Sequence, residues 1–321
     1  MMPLPDQTAA FLTDAQVRLP TLAHARNCGC ALHARRRLGG ALLGGGALAA
    51  LGWAGPAAAQ GDVECQRSSF TKVVSAEQIE QAASQQYRQM LQQAADKRAL
   101  APANHPQVQR LRYIAKRIIP FTTGCNPRSK DWRWDVNLIG DQQLNAFCMP
   151  GGKIAFYFGI LSQLQLSDGE VAAIMGHEVA HALREHARER MGKTAATRIG
   201  ASVLSAFLGL GGTGDALLNM GGQLLTLKFS REDESEADIV GMELAARAGY
   251  DPQAGVTLWQ KMLAVGKNAP PQFMSTHPSG ATPIQDIQGK LPKVTPIFAA
   301  ADKPPRSFGP PPKTAAASAP A

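Results

Sequence analysis

The stretch SDGEVAAIMGHEVAHALREHARER, residues 167–190, limits the possible folds more than any other part of the chain. Ser167 followed by Glu170 predicts a capping box, and the run that follows reads as one helix ended by Gly192. His177 and His181 are four residues apart, so on a helix they share one face and can grip a single ion. Glu178 sits beside the first histidine, where its carboxylate can reach a water on that ion. Chance produces this His-Glu-x-x-His spacing about once in two hundred chains of this composition, so the motif alone does not decide the matter. The rival explanation is an exposed helix laced with i,i+4 pairs. It does not account for Val171, Ile174, Met175 and Val179, which mark the helix as largely buried. Two histidines buried without a partner would be costly.

A catalytic zinc takes three protein ligands and keeps a further position open. Gly at 184 and His at 187 would extend the motif along the same helix, but the chain has Arg184 and Ala187. His186 is one residue out of place and, on a continuous helix, faces solvent. A Glu from a second helix is the remaining source. In SREDESEADIVGMELAARAG, residues 230–249, the inward stripe is Ala237, Val240, Gly241, Leu244 and Ala248. Glu234 lies one turn before that stripe, and Asp238 lies one turn beyond Glu234 on the same side. Glu232, Glu236 and Glu243 fall on another face. Phase therefore selects Glu234 as the third ligand. Asp238 becomes the group that accepts a bond from a ligating histidine and fixes its tautomer.

The rest of the chain is an ordinary globular sequence, with 45% hydrophobic and 18% charged residues over 321 positions. The formal charge of +8 is partly a property of the first 59 residues, which hold five Arg and two Asp; without them 28 basic residues face 23 acidic ones. The remaining basic residues form no run and are not interleaved with aromatics, which excludes a nucleic-acid footprint. Residues 1–59 read as a signal peptide with an extended n-region. Arg35, Arg36 and Arg37 precede an uncharged stretch, and cleavage is expected near Ala59–Gln60. Export places the mature chain in an oxidising compartment, where a bridge between Cys65 and Cys125 is permitted and Cys148 is left free.

Helices are expected from Ser75 to about Leu100 and from Pro106 to Ile119, the second with Val108, Leu111, Ile114, Ala115 and Ile118 on one stripe. Trp132, Trp134, Val136 and Leu138 alternate as a half-buried strand. NAFCMPGGKIAFYFGIL predicts a hairpin about Pro150, Gly151 and Gly152, with Ile154–Phe158 as its second arm. Within the mostly uncharged stretch 194–228 the longest charge-free run, residues 199–214, is shorter than the roughly 20 residues a membrane span needs. Later helices are expected at about 231–248 and 251–265, with a short one at the end. The segment 301–321, rich in Pro and Ala, reads as a disordered tail.

In order along the chain, NAFCMPGGKIAF, GHEVAHALREH, FSREDESEADIVG and STHPSG resemble the HtpX/BepA/LoiP family of zinc metallopeptidases, which also includes the mitochondrial Oma-type and CAAX-processing proteases. The resemblance covers about residues 75–290 and is nearest the short, LoiP-like architecture. It implies a mainly helical α+β fold of gluzincin type, with a small β-sheet beside the active-site helix, spanning a domain of residues 60–300. His177, His181 and Glu234 would hold one Zn2+ per chain, and Glu178 would be the base. The strand around Asn145, Ala146 and Phe147 would flank the cleft and pair with an extended substrate.

In BepA-like relatives the His of the Thr-His-Pro loop, here His277, can take the fourth zinc position and hold the enzyme latent. Relatives usually carry an Arg six residues later, where this chain has Pro283, so Tyr157 and His277 both stand as candidates to stabilise an oxyanion. The implied activity is that of a periplasmic zinc endopeptidase, peripheral to the outer membrane and without a transmembrane span. Its substrates would be unfolded or misassembled envelope proteins, and the outer-membrane assembly machinery its partner. The alternative from a different class is a latent zinc-binding chaperone or assembly factor with little proteolysis.

Overall fold

The computed structural model describes residues 65–198, 220–224, 227–265, 272–278 and 282–312, all within the unit formed by residues 57–321. The expected signal peptide and the uncharged run 199–214 lie outside the described residues. Helix α1 spans Ala76–Asp96, capped by the Ser75 side chain, and buries Ile79, Ala82, Ala83 and Tyr87 along one face. Arg98, at φ 54°, turns the chain two residues after that helix ends. Helix α2, Pro106–Ile118, starts on its proline and buries the whole expected stripe. Its Arg110 is also fully buried and donates to Asp168 Oδ1 at 2.6 Å and to the Leu166 carbonyl at 2.6 Å.

Three strands follow: β1 (Asp135–Ile139), β2 (Ala146–Met149) and β3 (Lys153–Tyr157), in the order β1-β3-β2. β1 runs parallel to β3, and β2 is antiparallel to it. The β2–β3 hairpin turns on Gly151 and Gly152, both at positive φ, and a Cβ on Gly152 would stand 2.7 Å from the Trp134 ring. No larger residue fits there. β2 is an edge strand, hydrogen-bonded only to β3 among the described residues.

A short helix, α3 (Phe158–Gln163), leads into α4 (Asp168–Leu183), whose capping box between Ser167 and Glu170 is complete. The continuous helix expected to Gly192 does not form. It breaks after Leu183, Glu185 takes φ 59°, and α5 restarts at His186 and runs to Arg198. Gly192 lies inside α5, where a Cβ would stand 2.2 Å from the Phe70 carbonyl, so close packing rather than helix termination requires it.

Helix α6 (Arg231–Arg247) packs against α4 more extensively than any other element. It is followed by α7 (Ala254–Val265), α8 (Gln272–Thr276) and α9 (Pro283–Ala300). The last is not short: it has 18 residues and continues through Pro292 and Pro296. The arrangement is mainly helical with one small sheet, as expected. Among the described residues no helix is long and apolar enough to cross a membrane.

Two features bear on the ends of this unit. Cys65 and Cys125 are bridged, and Cys148 is free and buried. Replacing both bridged cysteines by Ser frees a loop of 60 residues, which should cost about 4 kcal/mol in the chain-entropy picture. Urea unfolding without reductant checks this. A loss under about 1 kcal/mol would mean that packing alone holds the segment around Cys65. At the other end, residues 301–312 do not form a disordered tail. Asp168 Oδ2 accepts from Ser307 Oγ (3.1 Å) and from the Phe308 N–H (2.8 Å), and Gln165 donates to the Pro311 carbonyl. Residues 313–321 lie outside the described residues.

Candidate metal centre

Helix α4 is buried on nearly every side, so His177, Glu178 and His181 enter the interior together. Against this helix lies α6, and the crossing is tight because each contributes a glycine. A Cβ on Gly176 would be 2.4 Å from the Gly241 carbonyl oxygen, and one on Gly241 would be 2.5 Å from the His177 nitrogen. That approach carries Glu234, two turns before Gly241, up to the histidines. From the other side α8 delivers His277, whose N–H bonds the Phe273 carbonyl and whose ring stacks on Phe273 at 4.6 Å.

Four side chains converge: His177, His181, Glu234 and His277, each buried, with one ligand atom apiece inside a span of 4.8 Å. His177 Nε2 lies 3.0 Å from His181 Nε2 and 3.2 Å from His277 Nδ1. Glu234 Oε2 lies 3.3 Å from His177 Nε2, and Glu234 Oε1 lies 3.5 Å from His181 Nε2 and 3.2 Å from His277 Nδ1. Four ligands placed tetrahedrally at about 2.0–2.2 Å from one ion would be about 3.3–3.6 Å apart, so the donor set fits zinc in kind and in spacing. The electrostatics agree. Burial pushes His181 well below the usual histidine value, which favours the neutral ring a metal requires. Burial acts the same way on His177, but Asp238 and Glu234 outweigh it and raise that ring. Burial would likewise raise Glu234, yet its bonds to the three histidines hold it far below the carboxylate range. The carboxylates around this point favour a cation between them.

Asp238 stands where phase placed it, with Oδ1 3.0 Å from His177 Nδ1 and Oδ2 accepting from Lys290 Nζ at 3.0 Å. Glu178 is buried beside the cluster. Its Oε1 has no hydrogen-bond partner among the described residues, although His277 Nε2 lies 3.4 Å away. Burial raises its pKa, opposed chiefly by the neighbouring His277 and His177. A cavity of about 180 Å³ opens over these groups. Asn145, Ala146 and Phe147 line one wall, with Phe229 and Leu224 among the apolar residues elsewhere; Tyr157 and His277 both reach it.

One expectation fails. His186 does not face solvent: it is 1% exposed and its Nδ1 lies 2.9 Å from His181 Nδ1. The phase that sent it outward assumed a helix running on past Leu183. Phe229, stacked on the His181 ring at 4.1 Å, also went unread in the sequence, because it precedes its helix in an irregular segment.

The model of peptidase family M48 matches residues 106–291. The mitochondrial metalloendopeptidase OMA1 of Schizosaccharomyces pombe is 35% identical over 212 residues, covering 64% of this chain and 59% of that protein. The metalloprotease LoiP of Escherichia coli (strain K12) is 28% identical over 206 residues, covering 63% of this chain and 78% of LoiP. The β-barrel assembly-enhancing protease of the same organism is 25% identical over 170 residues, 50% of this chain and 35% of that protein. The chain thus spans between about a third and three fifths of the length of several of its relatives, LoiP being covered more fully.

Proposed function

This chain belongs to peptidase family M48, and from that premise we propose that it is a zinc-dependent endopeptidase acting on unfolded or misassembled proteins of the cell envelope. The observation that carries the reading is the buried Oε1 of Glu178, which makes no hydrogen bond among the described residues and faces four converging ligand atoms. A base is needed in that place, and a purely structural carboxylate would be paired. His177, His181 and Glu234 would hold the ion. When bound, zinc supplies a Lewis acid that polarises a peptide carbonyl and makes water acidic enough to act as a nucleophile near neutral pH. An extended substrate pairs with the free edge of β2 at Asn145, Ala146 and Phe147. Glu178 accepts the proton of the attacking water at Oε1 and returns it to the leaving amine. Tyr157 and His277 both line the cavity and are the two candidate donors to the developing oxyanion, and a faster His277→Ala would leave Tyr157 in that role.

The Cys65–Cys125 bridge supports an oxidising compartment, and with the basic and apolar N-terminal run it supports export to the periplasm. The name of the β-barrel assembly-enhancing relative supports a task close to outer-membrane assembly.

A second reading, a latent zinc-binding chaperone, draws on His277, whose Nδ1 takes the fourth position of the cluster. Both are tested by casein degradation, with zinc content read on the same samples. Chelation should stop the mature protein and zinc should restore it. His277→Ala should raise the rate by about 10- to 1000-fold if the open form is a minor state of the parent. Bound zinc with no cleavage by either form would leave the chaperone.

A further inference from the structure

His186 begins α5, immediately after the break that ends the metal-binding helix. The turn at Glu185 folds it back beneath the ring of His181, with centroids 4.9 Å apart and planes at 74°. Its Nδ1 faces His181 Nδ1 at 2.9 Å, and its Nε2 lies 3.3 Å from Glu236 Oε2. Glu236 also accepts from the Arg184 guanidinium. None of these atoms is in the converging ligand set, so His186 is not a further ligand.

The protons in this chain of contacts can be ordered in one way. His181 presents Nε2 to the cluster, and a metal ligand must offer a bare lone pair there. A neutral imidazole then carries its proton on Nδ1. Two Nδ1 atoms 2.9 Å apart share a single hydrogen, so His186 Nδ1 must be the acceptor. The proton of His186 is therefore on Nε2 and points to Glu236, whose charge Arg184 balances.

We propose that His186 is a positioning residue, which holds His181 in its Nδ1-protonated tautomer and aims its Nε2 at the metal through a relay ending on Glu236 and Arg184. This rests on the reading that His177, His181 and Glu234 hold zinc. The other histidine arm has the same logic in a shorter form: His177 Nδ1 reaches Asp238 directly, and Lys290 balances that carboxylate. Both histidine ligands are thus tied to a cation-balanced carboxylate, one directly and one through a second imidazole. A tautomer left unguided would present N–H to the ion for part of the time, so the relay should appear in affinity.

The test is zinc affinity of the full mature chain, measured by competition with a chromogenic chelator. His186→Phe keeps the size but offers no acceptor, and should weaken zinc by about 10–100-fold. His186→Asn, whose Oδ1 can take the place of Nδ1, should recover most of that loss. Long-range 1H–15N spectra of the zinc-loaded parent give a readout that needs no variant. His181 should carry its proton on Nδ1 and His186 on Nε2. The inference is overturned by His186→Phe binding zinc within twofold of the parent, or by His186 protonated at Nδ1. A His186→Phe protein that does not fold leaves the spectrum of the parent to decide. A parent that binds no zinc would overturn the metal reading itself, and this inference with it.

Discussion

Glu178→Gln leaves the mature protein folded and zinc-loaded and lowers casein hydrolysis by about two to four powers of ten, the range of general acid–base catalysis. The substitution keeps the shape of the side chain and one acceptor oxygen. It removes only the capacity to take a proton and hand it on. It also removes a buried carboxylate with one oxygen that makes no hydrogen bond among the described residues, so the melting temperature should hold or rise, as it does when active-site strain is relieved. The pairing of results is diagnostic. Lost activity with a lower melting temperature and lost zinc would mean a damaged site. A rate within tenfold of the parent, with zinc retained, would place the base elsewhere.

The second large effect comes from the crossing of α4 and α6. Gly176→Ala and Gly241→Ala should each lower stability by about 2–3 kcal/mol, at the upper end of overpacking costs. In both cases the obstacle is backbone rather than a side chain that could swing aside. Alanine is otherwise the better helix former by about 1 kcal/mol, so the sign itself is informative. Gly289→Ala in α9 meets nothing within 4 Å and should be neutral or stabilising. Moving the helices apart also draws Glu234 away from His177, so zinc affinity should fall with stability in the crossing variants. Thermal melts with and without added zinc check this. If either variant at the crossing melts with the parent, the close approach of the two helices is not what holds the centre together.

Helical phase alone brought His177, His181, Glu234 and Asp238 to one place, because each lies within a helix, Glu234 in a first turn held by a capping box, where 3.6-residue geometry is reliable. The stripe of α2, the hairpin at Gly151–Gly152 and the capping box of α4 were legible for similar reasons: they depend on residues a few positions apart. What could not be read depends on contacts distant in sequence. The break at Arg184–Glu185 carries no Gly or Pro, and its residues are good helix formers. It is set by where α5 packs, against the turn around Phe70. His186 was misplaced for that reason alone. The strap at 302–311 was hidden because its composition is that of a disordered segment. Its anchor, Asp168, lies 139 residues earlier than Ser307.

That strap has a consequence for how the protein comes into being. The first turn of α4 is secured by Arg110 from one side and by Ser307 and Phe308 from the other. The four side chains that could hold a metal ion are His177, His181, Glu234 and His277. In N- to C-terminal order the two motif histidines come first, Glu234 follows 53 residues after His181, and Ser307 and Phe308, which anchor the motif helix, come later still. A chain stopped between His181 and Glu234 would therefore carry the motif histidines without the carboxylate that faces them.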